Sequence, residues 1–379
     1  HRPGNNLYAQ SIVCLDVLTG ERIWHFQTVH HPIWDYDLPA PPVLIDIEVD
    51  GIPIPAVAQI TKQGFTFVFN RRTGESVWPI EERPVAPSTV PGEITHPTQP
   101  FPTLPEHFQP NGVLESYLND LTPEIFAEAK RIADQYTLGP VYTPPTVISE
   151  NNRGTLVMPG TVGGANWQGA VADPETGIMY VSSTSTPVVH GLLSDPDRSN
   201  MRYVMGRDSL DGPFGLPLLK PPWGRITAID LNTGKIRWVM ANGDTPEEIA
   251  NHEKLQGVDL PRTGHDDRAG LLVTRSLLFA GEGIGLYGAA YGGSKFRAHH
   301  KLTGEILAEV DMGVRQSGVP MTYAINGTQY IVVAAGAANQ AGELVARFQQ
   351  RFERRIGLRW ALALKTEPDA LVGTCGYNI

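Results

Sequence analysis

The chain has 379 residues, 41% of them hydrophobic and only 18% charged, with 39 Gly, 32 Pro and a formal net charge of −10. An acidic chain with no long basic run is poorly suited to nucleic acid or an anionic membrane surface, and no apolar run approaches the roughly 18 residues of a membrane span. Abundant Gly and Pro with few long amphipathic runs predict an all-β protein of short strands and frequent turns.

In chain order, His1-Arg2-Pro3-Gly4 reads as the middle of a loop, so a fragment or processed chain is expected. Cys14 to Trp24 follows as an apolar strand, then Asp16, two residues, Thr19-Gly20, and a second strand ending in Trp. Asp or Asn opens such a hairpin by bonding its own backbone, and Gly supplies the positive φ that closes it. Cys14 is expected to be a small buried residue; the other cysteine, Cys375, is remote, and neither a zinc cluster nor a Cys-x-x-Cys-His haem site is present.

Next comes Thr28-Val29-His30-His31-Pro32-Ile33-Trp34-Asp35-Tyr36-Asp37-Leu38-Pro39, and then Thr61-Lys62-Gln63-Gly64 opening the strand Phe65 to Phe69. These segments set a carboxylate, Asp35, and an ammonium, Lys62, at the ends of neighbouring strands. A base beside a fixed positive charge suits removal of a hydride from an alcohol. The carboxylate takes the hydroxyl proton, and the cation stabilises charge growing on the acceptor. Asp37 reads as a structural neighbour, and His30 and His31, an adjacent pair facing opposite sides of a strand, as structural too.

The hairpin pattern returns at Val68 to Trp78, with Asn70 and Gly74. Residues about 80 to 150 depart from it. They are Pro-rich, with one helix predicted from Thr122 as N-cap and Pro123 at the first position through Ala133. This reads as an insertion over one face of the scaffold. Gly163-Gly164-Ala165-Asn166-Trp167-Gln168-Gly169 is a Gly-rich loop that allows backbone approach to a flat ligand. Further copies of the hairpin lie at Ala172 to Tyr180, Ile229 to Trp238 and His300 to Leu307, the last without Trp. Between the last two sits a polar turn, Thr263-Gly264-His265-Asp266-Asp267-Arg268, a candidate for the active face. After residue 348 the strand rhythm is lost in an Arg-rich tail.

The turn glycines stand at 20, 74, 177, 234 and 304, so the intervals are 54, 103, 57 and 70 residues. Units of roughly 50 residues are four-stranded propeller blades. The organisation expected is a run of blades over 1–348 with the insertion at about 80–150, and an irregular tail over 349–379.

Together these motifs resemble the PQQ-dependent quinoprotein dehydrogenases, in the membrane-type glucose, polyol and quinate branch. The Trp-bearing repeat is similar to that family's tryptophan-docking motif, Thr28 to Pro39 to its catalytic-aspartate segment, and Leu219 to Arg225 to a segment preceding a blade strand. The resemblance implies part of an eight-bladed β-propeller using PQQ and Ca²⁺. It implies Asp35 as catalytic base and calcium ligand, Lys62 as the lysine on the quinone oxygens, and Asn166 and Trp167 facing PQQ. It further implies oxidation of a sugar or polyol, ubiquinone or another carrier as electron acceptor, and a periplasmic location with any membrane anchor outside this chain. Phe296-Arg297-Ala298-His299-His300 departs from the family's usual Tyr-Asp before the turn. A non-catalytic propeller scaffold would need the blades without Asp35, Lys62, Asn166 and Trp167 together. The methanol and ethanol branch is disfavoured by Lys rather than Arg at position 62.

Overall fold

The computed structural model describes residues 4–206, 209–283 and 292–336, with the backbone of two paired strands, Leu362–Leu364 and Glu367–Gly373. The rest of the C-terminal stretch, with Cys375, lies outside the described residues.

The chain begins with a two-stranded hairpin, β1 (Ser11–Leu15) and β2 (Arg22–Gln27). An antiparallel meander follows, β3 (Val43–Val49), β4 (Ile52–Ile60) and β5 (Thr66–Asn70), extended by a bridge between Phe69 and Ser76. The insertion starts with hairpin β6 (Ile80–Pro84) and β7 (Thr98–Pro102) and continues with helix α1 (Pro123–Ala133) and the short strands β8 (Thr146–Val147) and β9 (Thr155–Val157). After β10 (Ala170–Asp173) and β11 (Ile178–Thr184), the chain leaves to form β12 (Val188–Leu193) and β13 (Val204–Gly206) on the insertion strands. It returns as β14 (Gly224–Asp230) and β15 (Lys235–Ala241), completing the four-stranded order β10-β11-β14-β15. A second four-stranded sheet, β16 (Leu271–Val273), β17 (Leu277–Gly281), β18 (Lys295–His300) and β19 (Ile306–Asp311), precedes the hairpin β20 (Met321–Ile325) and β21 (Thr328–Val332).

All five repeat turns close alike. The Gly N–H donates to the carbonyl four residues back, Gly20 to Asp16, Gly74 to Asn70, Gly177 to Asp173, Gly234 to Asp230 and Gly304 to His300, at 2.7–2.9 Å. Every one of these glycines has φ between +70° and +77°, which side chains rarely tolerate. In four turns the Asp or Asn side-chain oxygen also accepts a backbone N–H two residues on. In the fifth turn His300 Nδ1 meets the Thr303 hydroxyl instead.

Two tryptophans then carry one unit onto another. Trp24 Nε1 donates to the Arg71 carbonyl at 3.1 Å, and Trp238 Nε1 to the Lys301 carbonyl at 3.3 Å. Each indole lies against the turn glycine there: a Cβ on Gly74 would fall 2.6 Å from Trp24 Cγ, and one on Gly304 3.2 Å from Trp238 Cδ2. Tyr180, which ends the third copy, donates its hydroxyl to the same Lys301 carbonyl.

Between the sheets the apolar faces stack in sequence. Ile45, Ile47, Ala56, Ala58 and Val68 pack on Met179, Val181, Ile229 and Leu231, with Trp78 against the same cluster. Ile178, Tyr180, Ile226 and Ala228 then pack on Leu271, Leu278 and Ala280. This is blade-on-blade stacking built from period-two strands. Helix α1 forms where expected: Thr122 caps it by accepting the Ile125 N–H, and Ile125, Ala129, Ile132 and Ala133 fall on its buried face.

Candidate active site

The segment Trp34-Asp35-Tyr36-Asp37 alternates in and out. Trp34 and Tyr36 are fully buried, their Nε1 and hydroxyl donating to the carbonyls of Thr143 and Pro159 at 2.9 and 2.8 Å. Anchoring these rings leaves the carboxylates of Asp35, between them, and Asp37, after them, on the open side. Asp35 has φ of +62°, a left-handed conformation that Asp tolerates better than most residues. Its carbonyl accepts from Lys62 Nζ at 2.9 Å.

Lys62 follows β4 in the turn Thr61 to Gly64, closed by the Gly64 N–H on the Thr61 carbonyl. Its side chain is only 7% exposed, so its charge must be met locally. The Asp37 carboxylate makes the close ion pair with Nζ, and Asp35 Oδ2 stands 3.7 Å away. The Asp35 carboxylate is 64% exposed and free to meet a ligand. His30 and His31 lie in the bends after β2 rather than on a strand. His30 meets Glu82 at 2.9 Å and lies tilted against the His96 ring, and His31 Nδ1 meets the Gly4 carbonyl.

The Gly-rich loop presses on Lys62. A Cβ on Gly163 would lie 2.6 Å from Lys62 Cβ, and Gly164 N–H donates to the Lys62 carbonyl at 2.9 Å. Asn166 uses its amide inside the loop: Nδ2 donates to Val162 O and Oδ1 accepts the Trp167 N–H, both at 2.8 Å. Trp167 is 79% exposed. The loop therefore presents its indole, while Asn166 shapes the loop that presents it.

The turn 263–268 sits beneath this loop. Arg268 donates from one nitrogen to the carbonyls of Val162 and Gly163 at 2.6 and 2.8 Å. Burial pulls its pKa down to about 10, so it remains a cation at neutral pH. Asp266 accepts from the hydroxyls of Thr184 and Thr186. Asp267 is fully buried, and burial pushes its carboxyl well up, Glu282 and Asp266 adding to the effect.

Gln109 has no counterpart in the sequence reading. The insertion threads it under both loops, its amide lying where a Cβ on Gly164 would be and its Cγ 2.9 Å from where one on Gly64 would be. Neither end of that buried amide has a hydrogen-bond partner among the described residues. No local spacing announces such a residue.

A cation, an exposed indole and glycines with no room for a side chain fit one face of a flat anionic quinone such as PQQ. Calcium asks for six to eight oxygens. Asp35 offers one carboxylate, and among the described residues no three His, Cys, Asp or Glu side chains converge to hold a metal. These residues alone do not form a calcium site. No helix among them is long and apolar enough to cross a membrane.

Residues 1–331 match the family model described as PQQ, glucose/ethanol/alcohol dehydrogenase, beta-propeller domain. The chain is 32% identical over 372 residues to the quinoprotein glucose dehydrogenase of Escherichia coli K12, covering 90% of this chain and 44% of that protein. It is 31% identical to the glycerol dehydrogenase large subunit of Gluconobacter oxydans, with 88% and 47% covered. With the quinate/shikimate dehydrogenase (quinone) of Acinetobacter baylyi, identity is 29%, with 88% and 42% covered. The crystal structure of the quinohemoprotein alcohol dehydrogenase from Comamonas testosteroni superposes with a TM-score of 0.52 at 23% identity, over 88% of this chain and 39% of that one, and supports the fold. The chain thus spans about half the length of the curated relatives it matches. It belongs to the family of that model, the PQQ-dependent glucose/ethanol/alcohol dehydrogenases, as their β-propeller domain.

Proposed function

We propose that this chain contributes the Asp35–Lys62 wall of a PQQ-dependent dehydrogenase that oxidises a sugar or polyol hydroxyl. The observation that carries this reading is the buried Lys62 ammonium, held by Asp35 and Asp37 beside the Gly163 loop. PQQ, when bound, supplies the two-electron acceptor for the hydride. Asp35 is the base: its exposed carboxylate takes the substrate's hydroxyl proton. Lys62 holds a positive charge at a fixed position, and Asp37 orients it so that the Asp35 carboxylate stays available. Trp167 offers a flat apolar surface to the cofactor. Asn166 acts through the loop conformation.

Ca²⁺, which Asp35 would help hold, needs further oxygen ligands from outside the described residues. Ubiquinone or a separate carrier as electron acceptor, and a periplasmic location, rest on the relatives' kind and belong to the same proposal.

The test is a PQQ titration of the chain, alone and joined to the upstream half of a relative, read by quinone absorbance, with dye reduction on glucose, glycerol and quinate. Activity that needs PQQ and is lost in Asp35→Asn supports the reading. Retained PQQ binding with full activity in Asp35→Asn removes Asp35 from the role of base. No PQQ binding by the joined protein leaves a propeller used for binding.

A further inference from the structure

The polar turn 263–268 holds a cation that the reaction as proposed does not use. Arg268 is half-buried, and its Nη1 donates to the carbonyls of Val162 and Gly163 at 2.6 and 2.8 Å. Gly163 also abuts Lys62, since a Cβ there would fall 2.4 Å from Lys62 Cγ. Two cations therefore flank one glycine, in the loop that carries the exposed Trp167. The loop is tied to the turn a second way. Thr184 N–H donates to the Gly164 carbonyl at 3.0 Å, and the Thr184 hydroxyl donates to Asp266.

Carbonyls solvate a guanidinium without neutralising it, and a charge drawn partly out of water favours an anionic partner. The two aspartates that precede Arg268 attract it only through space. Asp266 Oδ1 accepts from the hydroxyls of Thr184 and Thr186. Asp267 is fully buried, and burial pushes it toward its neutral form. Arg268 itself stays a cation at neutral pH. Its contacts with the loop spend one nitrogen, Nη1. The Nε and Nη2 side of the planar fork matches the two oxygens of a carboxylate. Anchored through two carbonyls, that fork is held in place before any ligand arrives, which lowers the cost of binding.

We infer, on the basis of the proposed PQQ site, that Arg268 is a carboxylate-binding residue and takes an acid group of the bound quinone. PQQ is flat and rigid, and its rings carry carboxylates as well as the quinone oxygens. Lys62 and Arg268, on two sides of Gly163, meet different parts of that one molecule. Lys62 serves the quinone end, and Arg268 fixes the orientation of the rings by holding an acid group. A substrate bearing a carboxylate would offer the same chemistry. The quinone is the favoured source because it is the ligand proposed at Lys62, across a single glycine from Arg268.

The probes are PQQ and its trimethyl ester, which keeps the rings and quinone oxygens and loses the negative charges. Each is titrated, by quinone absorbance, into the full chain, alone and joined to the upstream half of a relative. The same titrations are made with Arg268→Met and Arg268→Lys. Arg268→Met should raise the Kd for PQQ by about ten- to a hundredfold and that for the ester by about threefold at most. Arg268→Lys, which keeps the charge and loses the planar fork, should fall between. Equal weakening of both quinones in Arg268→Met would make Arg268 a clamp on the loop and overturn the inference. An unchanged PQQ affinity would overturn the quinone as source. If KM then rose for quinate and not for glycerol, the carboxylate recognised would be the substrate's. No PQQ binding by any form would sink the proposed site and this role of Arg268 together, whereas PQQ bound with an unchanged preference over the ester sinks the role of Arg268 alone.

Discussion

Lys62 is held by the backbone of Asp35 and by the side chain of Asp37. Nζ donates to the Asp35 carbonyl at 2.9 Å and pairs closely with the Asp37 carboxylate, while Asp35 Oδ2 stays at 3.7 Å. The left-handed backbone of Asp35 turns its carbonyl toward the ammonium and leaves its carboxylate pointing to the open side. In the proposed function the two aspartates divide the work: Asp37 orients the cation and Asp35 supplies the base.

That division predicts different outcomes at the two positions. Asp35→Asn should lower kcat of the PQQ-loaded protein by roughly 10²–10⁴-fold, the usual worth of a positioned base. Asp37→Asn should have a smaller effect on kcat, because the Asp35 carbonyl still holds the Lys62 ammonium. Equal losses in both variants would contradict the division.

The Trp24–Gly74 contact predicts a position-specific cost. Gly74→Ala meets both the positive φ and the indole 2.6 Å from its Cβ, and should destabilise by about 2–4 kcal/mol. Gly20→Ala, with no atom near its Cβ among the described residues, meets the positive φ alone there and should cost about 1–2 kcal/mol. Urea unfolding with unchanged m-values checks both.

His190 sits buried on β12 with neither ring nitrogen hydrogen-bonded among the described residues, and burial pulls its pKa down to about 4. Its folded pKa lies below its unfolded value, so the unfolded chain binds the proton more readily. Stability is therefore full above about pH 6.5 and falls as pH drops toward 4, by roughly 3 kcal/mol for this one residue. His190→Gln should flatten that part of the stability–pH curve. An unchanged slope between pH 6.5 and 4 would rule His190 out as its source.

Arg268 clamps the Gly163 loop through two carbonyls. Arg268→Met should speed amide exchange across residues 162–168 by about ten- to a hundredfold, because charged hydrogen bonds of about 1.5–3 kcal/mol are lost. Exchange in α1 should be unaffected. Thr122→Ala, by contrast, should cost about 1 kcal/mol and fray only that helix.

Much of the scaffold was legible in the residues. The five turns, the capped helix and the strand rhythm depend on contacts within three to five residues, and short spacings such as Asp16 to Gly20 or Thr122 to Ile125 encode them directly. The strand assumed for His30 and His31 did not form, because the chain bends after Gln27 to bury Trp34 and Tyr36. Cys14, expected to be buried, is half-buried beside the Arg71 carbonyl.

The sequence by itself determined the repeat, its turn chemistry and the presence of a carboxylate and an ammonium on adjoining segments. Local hydrogen bonding and side-chain periodicity suffice for those. Only the tertiary structure decided that Asp37 takes the ion pair, that Asn166 turns its amide inward while Trp167 stays exposed, and that Gln109 and Arg268 meet at the Gly163 loop. Those outcomes follow from which groups are desolvated together, and residues far apart along the chain share that burial only once the blades have stacked.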